Sequence, residues 1–176
     1  LAIVGGPDAL AAVKTAIDNA EPSVQDEAVR ILSTWPNNWP EDSEAGQALL
    51  TLATSAKNTS HQVLGLRGYL QYIRVNKKLS NEQKVVKVKD VWSNVRQSEE
   101  RHLAIAVLAE APTAGSLELL TSLVDDPAVA EEVYSAMVQI AGQDIPGVSK
   151  DQRRQVLQTV VEKSTNNGTK QRARKA

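Results

Sequence analysis

Glu21-Pro22-Ser23-Val24 and Asp126-Pro127-Ala128-Val129 are one phrase written twice, at an offset of 105 residues. Each runs acidic residue, Pro, any residue, Val. A small or apolar residue follows four positions after the Val (Ala28, Val133) and a large one eight after it (Leu32, Met137). Steps of four along one face are helical, and proline is tolerated in a first helical turn, where its missing N–H has no partner to lose. Each phrase is therefore expected to open the second helix of a pair. The chain between them divides into further pairs at a spacing of roughly 35 residues, the period of a stacked helical array.

The pairs are expected at about residues 8–34, 43–74, 80–111, 113–142 and 149–176. In the first, Leu10, Val13, Ala16 and Ile17 share a face of Asp8–Asp18, and the apolar run of its partner is Val24, Ala28, Val29, Ile31 and Leu32. Trp35-Pro36-Asn37-Asn38-Trp39-Pro40 reads as a loop, because its prolines and asparagines break a helix. The second pair spans 43–55 and 59–74. Thr59-x-x-Gln62 is expected to form a capping box, as are Ser80-x-x-Gln83 and Ser149-x-x-Gln152. Lys84–Lys89 alternates as a strand would, but the cap and the continuation through Val85, Val88, Val91, Trp92 and Val95 favour a helix. Ser98–Glu110, Thr113–Val124 and Pro127–Ala141 follow as helices. Asn166-Asn167-Gly168 is expected to turn the chain into a truncated last helix from Thr169. Aligning the second helices on their core position gives Ala28, Gly65, Ala104, Val133 and Ala173, at spacings of 37, 39, 29 and 40. No pair can bury both apolar faces alone, so stacking makes one core. The expected fold is all-α, a right-handed α-α superhelix of about five helix pairs in one domain covering 1–176, the last pair truncated.

Composition agrees. Hydrophobic residues make up 41% of the 176 and charged ones 23%, but aromatics only 3%, with no Phe. A core of Ala, Val, Leu and Ile suits close helix packing better than a β-sandwich. The absence of Cys excludes disulfides, thiolate metal sites and a Cys nucleophile. No apolar run approaches the roughly 18 residues of a membrane span. The chain opens at Leu1 without Met and ends in a basic, helix-prone stretch, so it is expected to be a fragment of a longer protein, monomeric as such. Residues 150–176 carry eight Lys/Arg against Asp151 and Glu162, a net of +6, while residues 1–149 carry −7.

The two phrases, with Ala28 and Leu32 or Val133 and Met137 behind them, resemble the inter-helix turn of the HEAT-repeat family of α-solenoids. That resemblance covers nearly the whole chain as helix pairs and only the two phrases as motif. It implies a non-catalytic scaffold or spacer that binds a protein partner or neighbouring domains of its own chain. The family's turn usually carries Arg directly after the Val, pairing with an Asp of the next repeat. Gln25 and Ala130 stand there instead, so apolar packing rather than an ion-pair ladder is expected to hold the stack. Gln62–Tyr69 and Arg101–Ala106 are similar to HEAT segments of large multidomain bacterial proteins. Those often adjoin domains of exported carbohydrate or redox enzymes, which implies an accessory role beside such an enzyme as the alternative and points to an exported or periplasmic setting, while the composition suits the cytoplasm equally.

In such an array the second helices line the concave face. Two positions after the core residues, and a turn either side, lie Arg30, Arg67, Gln71, Arg74, His102, Glu110, Glu131 and Gln139, the candidate protein contacts. Their mixed signs also suit a plain solvated face. No catalytic, cofactor or metal set is read from the sequence. His61 and His102 are the only histidines, and His102 has Glu99 at i−3 but no second His nearby. Gly5-Gly6 lacks the lysine of a phosphate loop and reads as a helix-entry turn. Gly65 and Gly68, inside a helix, are expected to allow close helix approach. Trp35 and Trp39 are expected to cover the end of the first pair, or to form an interaction patch. Lys170, Arg172, Arg174 and Lys175 offer contacts to nucleic acid or an anionic membrane, or form the polar face of an unfinished helix that packs on a next repeat; the −7 body argues against a nucleic-acid-tracking surface.

Overall fold

The computed structural model describes residues 3–19 and 21–176; Leu1, Ala2 and Ala20 lie outside it. Of the described residues 73% are helical and none is in a strand. The helices are α1 (Pro7–Ile17), α2 (Pro22–Thr34), α3 (Ser43–Ser55), α4 (Thr59–Val75), α5 (Asn81–Val91), α6 (Ser98–Ala109), α7 (Ala114–Thr121), α8 (Ala130–Ala141), α9 (Lys150–Lys163) and α10 (Asn167–Lys175). The chain divides into two compact units, residues 1–80 with 87–96, and residues 81–86 with 97–176.

In the first unit α1 packs on α2, α3 on α4, and the second helices α2 and α4 on each other. Leu10, Val13, Val29, Leu32, Leu49, Leu70 and Ile73 fill its core. Each such side chain removes apolar surface worth about 1.5–3 kcal/mol from water. Close approach is possible because α4 presents glycine where it crosses its neighbours. A Cβ on Gly65 would fall 2.5 Å from Leu52 Cβ, and one on Gly68 2.9 Å from the Ser33 backbone. Gly46 of α3 similarly receives the face of Tyr72.

The second unit repeats that pattern: α8 packs against α6, α7, α9 and α10, and α9 against α10. Its core is Ala104, Leu108, Leu120, Val133, Met137, Ile140 and Val160. The five positions aligned from the sequence, Ala28, Gly65, Ala104, Val133 and Ala173, are all buried. Val85, Val88, Val91 and Val95 are buried while Val86 is 56% exposed, the helical pattern and not the strand alternation.

Several boundaries differ from expectation. Pro22 is indeed in the first turn of α2, but Pro127 lies in a turn and α8 begins only at Ala130. The Asp126 carboxylate accepts the Ala128 N–H at 3.1 Å and is held by Arg101 at 2.5 Å. This folds the chain back on itself before the helix can start. As a result Val129 is buried, whereas its counterpart Val24 is 39% exposed. The first-turn capping box at Thr59 does not form: Asn58 is the N-cap, accepting from the Ser60 N–H, and Gln62 donates to the Ala56 carbonyl. Asn166 likewise caps α10, so that helix starts at Asn167, inside the stretch expected to turn. The expected loop at 35–40 begins with a 3-10 turn over Trp35–Asn37, and a second 3-10 turn, Trp92–Asn94, shortens the helix expected to reach Val95. The box Ser149-x-x-Gln152 forms as read. No helix among the described residues is long and apolar enough to cross a membrane.

Candidate functional site

Four of the eight candidate contact residues lie in each unit. In the first, Arg30 is exposed and pairs with Glu27 one turn back at 2.6 Å, which lowers the Glu27 carboxyl and raises the guanidinium through their hydrogen bond. Gln71 donates to the Asn37 side chain at 3.3 Å. Arg67 and Arg74 are half-buried on the same helix as Gln71, α4.

The second unit does gather its residues. Between α6 and α8 runs a groove of about 310 Å³. Ile105, Ala106, Ala109 and Ala136 form its apolar floor, and His102, Glu110, Glu132, Ser135 and Gln139 line it with polar groups. His102 Nε2 stands 3.6 Å from Glu132 Oε1, and Gln139 donates to the Ala109 carbonyl at 3.1 Å. Three of the candidates (His102, Glu110 and Gln139) thus meet in one place.

Glu131 does not join them. Its carboxylate turns to the α9–α10 connection, accepting from the Thr165 N–H at 2.6 Å, from Ser164 Oγ at 2.7 Å and from Thr165 Oγ1 at 2.9 Å. Burial raises its carboxyl, but these hydrogen bonds outweigh that and leave it below the usual carboxylate range. Its neighbour Glu132 takes the groove position instead. Stepping four residues back from Ser135, two positions after the core residue Val133, selects Glu131. Choosing between adjacent carboxylates needs the position of the Ser164-Thr165 turn, which no local pattern carries.

Ion pairs and hydrogen bonds also join segments remote in sequence. Arg101 bridges to Asp126, Lys163 to Asp125 at 2.6 Å, and His61 Nε2 to Asp26 Oδ1 at 2.6 Å. The position after each motif Val is not used for them, which is why the sequence hid them. Lys163 is raised by its hydrogen bond to Asp125. Arg172 donates to Ser135 Oγ at 3.2 Å. Arg153, Lys163 and Arg172 of the basic C-terminal segment are thus engaged within the second unit. Among the described residues no group of three or more His, Asp or Glu is placed to hold a metal ion.

Trp35 and Trp39 part company. Trp35 is buried and donates its indole N–H to Asp42 at 2.9 Å, whereas Trp39 is 39% exposed. The Gly5 backbone lies so close on the Trp39 ring that a Cβ there would fall 2.0 Å from it, with Gly5 at φ 66°. Gly5 therefore packs an aromatic face.

Comparison of the chain with protein families, with curated proteins and with solved structures gives no match. The fold and site thus define a class only, an all-helical protein of packed helix pairs.

Proposed function

We propose that this chain is a non-catalytic, HEAT-like α-solenoid module that binds a protein partner along its second helices. The observation that carries the reading is the groove between α6 and α8, where a floor of Ile and Ala is rimmed by His102, Glu110, Glu132 and Gln139. An apolar floor with polar groups at its edge is the usual anatomy of a protein-binding surface. The stacking of second helices within each unit, and the burial of all five aligned core positions, support the solenoid part of the reading.

A photo-crosslinking residue placed at Glu110 or at Gln139, both exposed, tests it in the producing cell. A discrete protein adduct should form from both positions and not from exposed Ala11 of α1. Adducts of equal yield from all three positions, or from none, would defeat the assignment.

A further inference from the structure

Along α9, Lys150, Arg153, Arg154, Leu157, Gln158 and Val161 follow at helical steps of three and four and share one face. With Ala173, Arg174 and Lys175 of α10 and Ala141 of α8, that face lines an open groove of about 750 Å³, larger than the α6–α8 groove. Its floor is apolar: Ala141 and Ala173 are buried, and Leu157 and Val161 are half-buried. Five cations line it and no carboxylate does, because Asp151 and Glu162 fall on other faces of α9.

Lys150, Arg154, Arg174 and Lys175 are exposed and make no ion pair or side-chain hydrogen bond among the described residues. Arg153 is held by the Gln143 carbonyl at 2.6 Å and by Asp144 at 3.2 Å. Its Nε is nonetheless shielded from solvent without an acceptor among the described residues.

We propose that this groove receives an acidic amphipathic helix from a protein partner. Apolar side chains of that helix lie over Leu157 and Val161. Its flanking carboxylates meet Lys150 and Arg154 on the α9 rim and Arg174 and Lys175 on the α10 rim. Cations on both sides of an aliphatic floor are complementary to a helix with an apolar stripe between acidic edges, the helix-in-groove mode of recognition. Nucleic acid fits less well. No aromatic residue lines the groove to stack a base, and an aliphatic floor does nothing for phosphates. The surface shares no residue with the α6–α8 groove, so it stands or falls independently of the function proposed above.

The test uses a fluorescein-labelled synthetic peptide of about 14 residues, long enough to be helical when bound. It carries Leu on one face and Glu on both flanks. Anisotropy titration of the whole chain should show saturable binding that weakens as salt rises. The same peptide with Lys for Glu, or with Ser for Leu, should bind at least about tenfold more weakly, since either the charge or the apolar contact is lost. The paired exposed-site variant Arg154→Glu/Arg174→Glu should lose binding by a similar factor while keeping the wild-type circular dichroism spectrum and melting temperature. Lys14→Glu, on α1, should change nothing. Equal binding of the acidic and basic peptides, no binding at low salt, or an unaffected Arg154→Glu/Arg174→Glu variant would overturn the proposal. So would displacement of the peptide by an equal concentration of a single-stranded oligonucleotide, which would make the groove a general polyanion site. Self-association in sedimentation, abolished by the paired variant, would assign the groove to a second copy and overturn it equally.

Discussion

Gly65 shows how one residue sets a helix crossing. In an exposed helix, replacing Gly by Ala gains about 1 kcal/mol of propensity. At Gly65 the added Cβ would also meet the Ala53 backbone nitrogen at 2.8 Å, which no side-chain rotation relieves. Forcing α3 and α4 apart costs about 1–3 kcal/mol, so Gly65→Ala should lower the urea midpoint despite its better propensity. The need for close approach was legible from a glycine placed mid-helix, but which neighbour it met was not. Glu131 makes the opposite point, since its acidity was visible and its use was not. Its carboxyl is lowered in the folded chain from the ordinary 4.5, so its contribution is present above that value and is lost as pH falls through the folded value. Glu131→Gln should destabilise by about 1 kcal/mol at neutral pH, after discounting for solvent screening. The difference from wild type should shrink toward zero in acid, as read by chemical denaturation at several pH values.

At the scale of elements, caps proved harder to read than faces. Asp42 accepts from the Glu44 and Ala45 N–H groups at 3.1 Å with one oxygen, opening α3, and from the Trp35 indole with the other. One carboxylate therefore fixes both the helix start and a fully buried ring. Asp42→Ala removes the cap and leaves the indole N–H unpaired, a loss of about 2–3 kcal/mol. Thermal melts followed at 222 nm should register it, and the Trp35 emission should change with it. The apolar faces of α1, α2, α5 and α8 were legible because a 3.6-residue period is a local property of the chain. The start of α8 was not. Pro127 carries the same local signal as Pro22, but Arg101, 25 residues earlier, holds Asp126 and draws the segment into a turn. A distant ion pair overrode a local preference.

For the whole molecule, pH and helix content give two checks. All three tyrosines are raised by burial: Tyr69, further helped by Asp90 and Tyr72, to about 12, and Tyr72 and Tyr134 in the same direction. Tyr69 and Tyr72 stack with ring centres 6.1 Å apart, and Tyr134 donates its hydroxyl to the Val124 carbonyl at 2.9 Å. Below the ordinary tyrosine value of about 10 both folded and unfolded chains keep these protons, so the contribution is intact. As pH rises beyond it the unfolded chain ionises first, and stability falls until the folded values are passed. Absorbance at 295 nm should show tyrosinate appearing late and together with unfolding, not near pH 10. Far-ultraviolet circular dichroism should likewise report a helix content close to 73% with no strand component.

The sequence by itself determined that the chain is helical, where most helices lie, and which face of each is apolar, because periodicity, proline placement and glycine are written residue by residue. It also determined that no thiol chemistry is possible. Only the tertiary structure decided which polar residues meet. It brought His102, Glu110 and Gln139 to one groove, set Glu132 there instead of Glu131, and ringed the α9–α10 groove with cations. Those choices depend on distances between helices remote in sequence, and such distances follow from how the buried faces pack together.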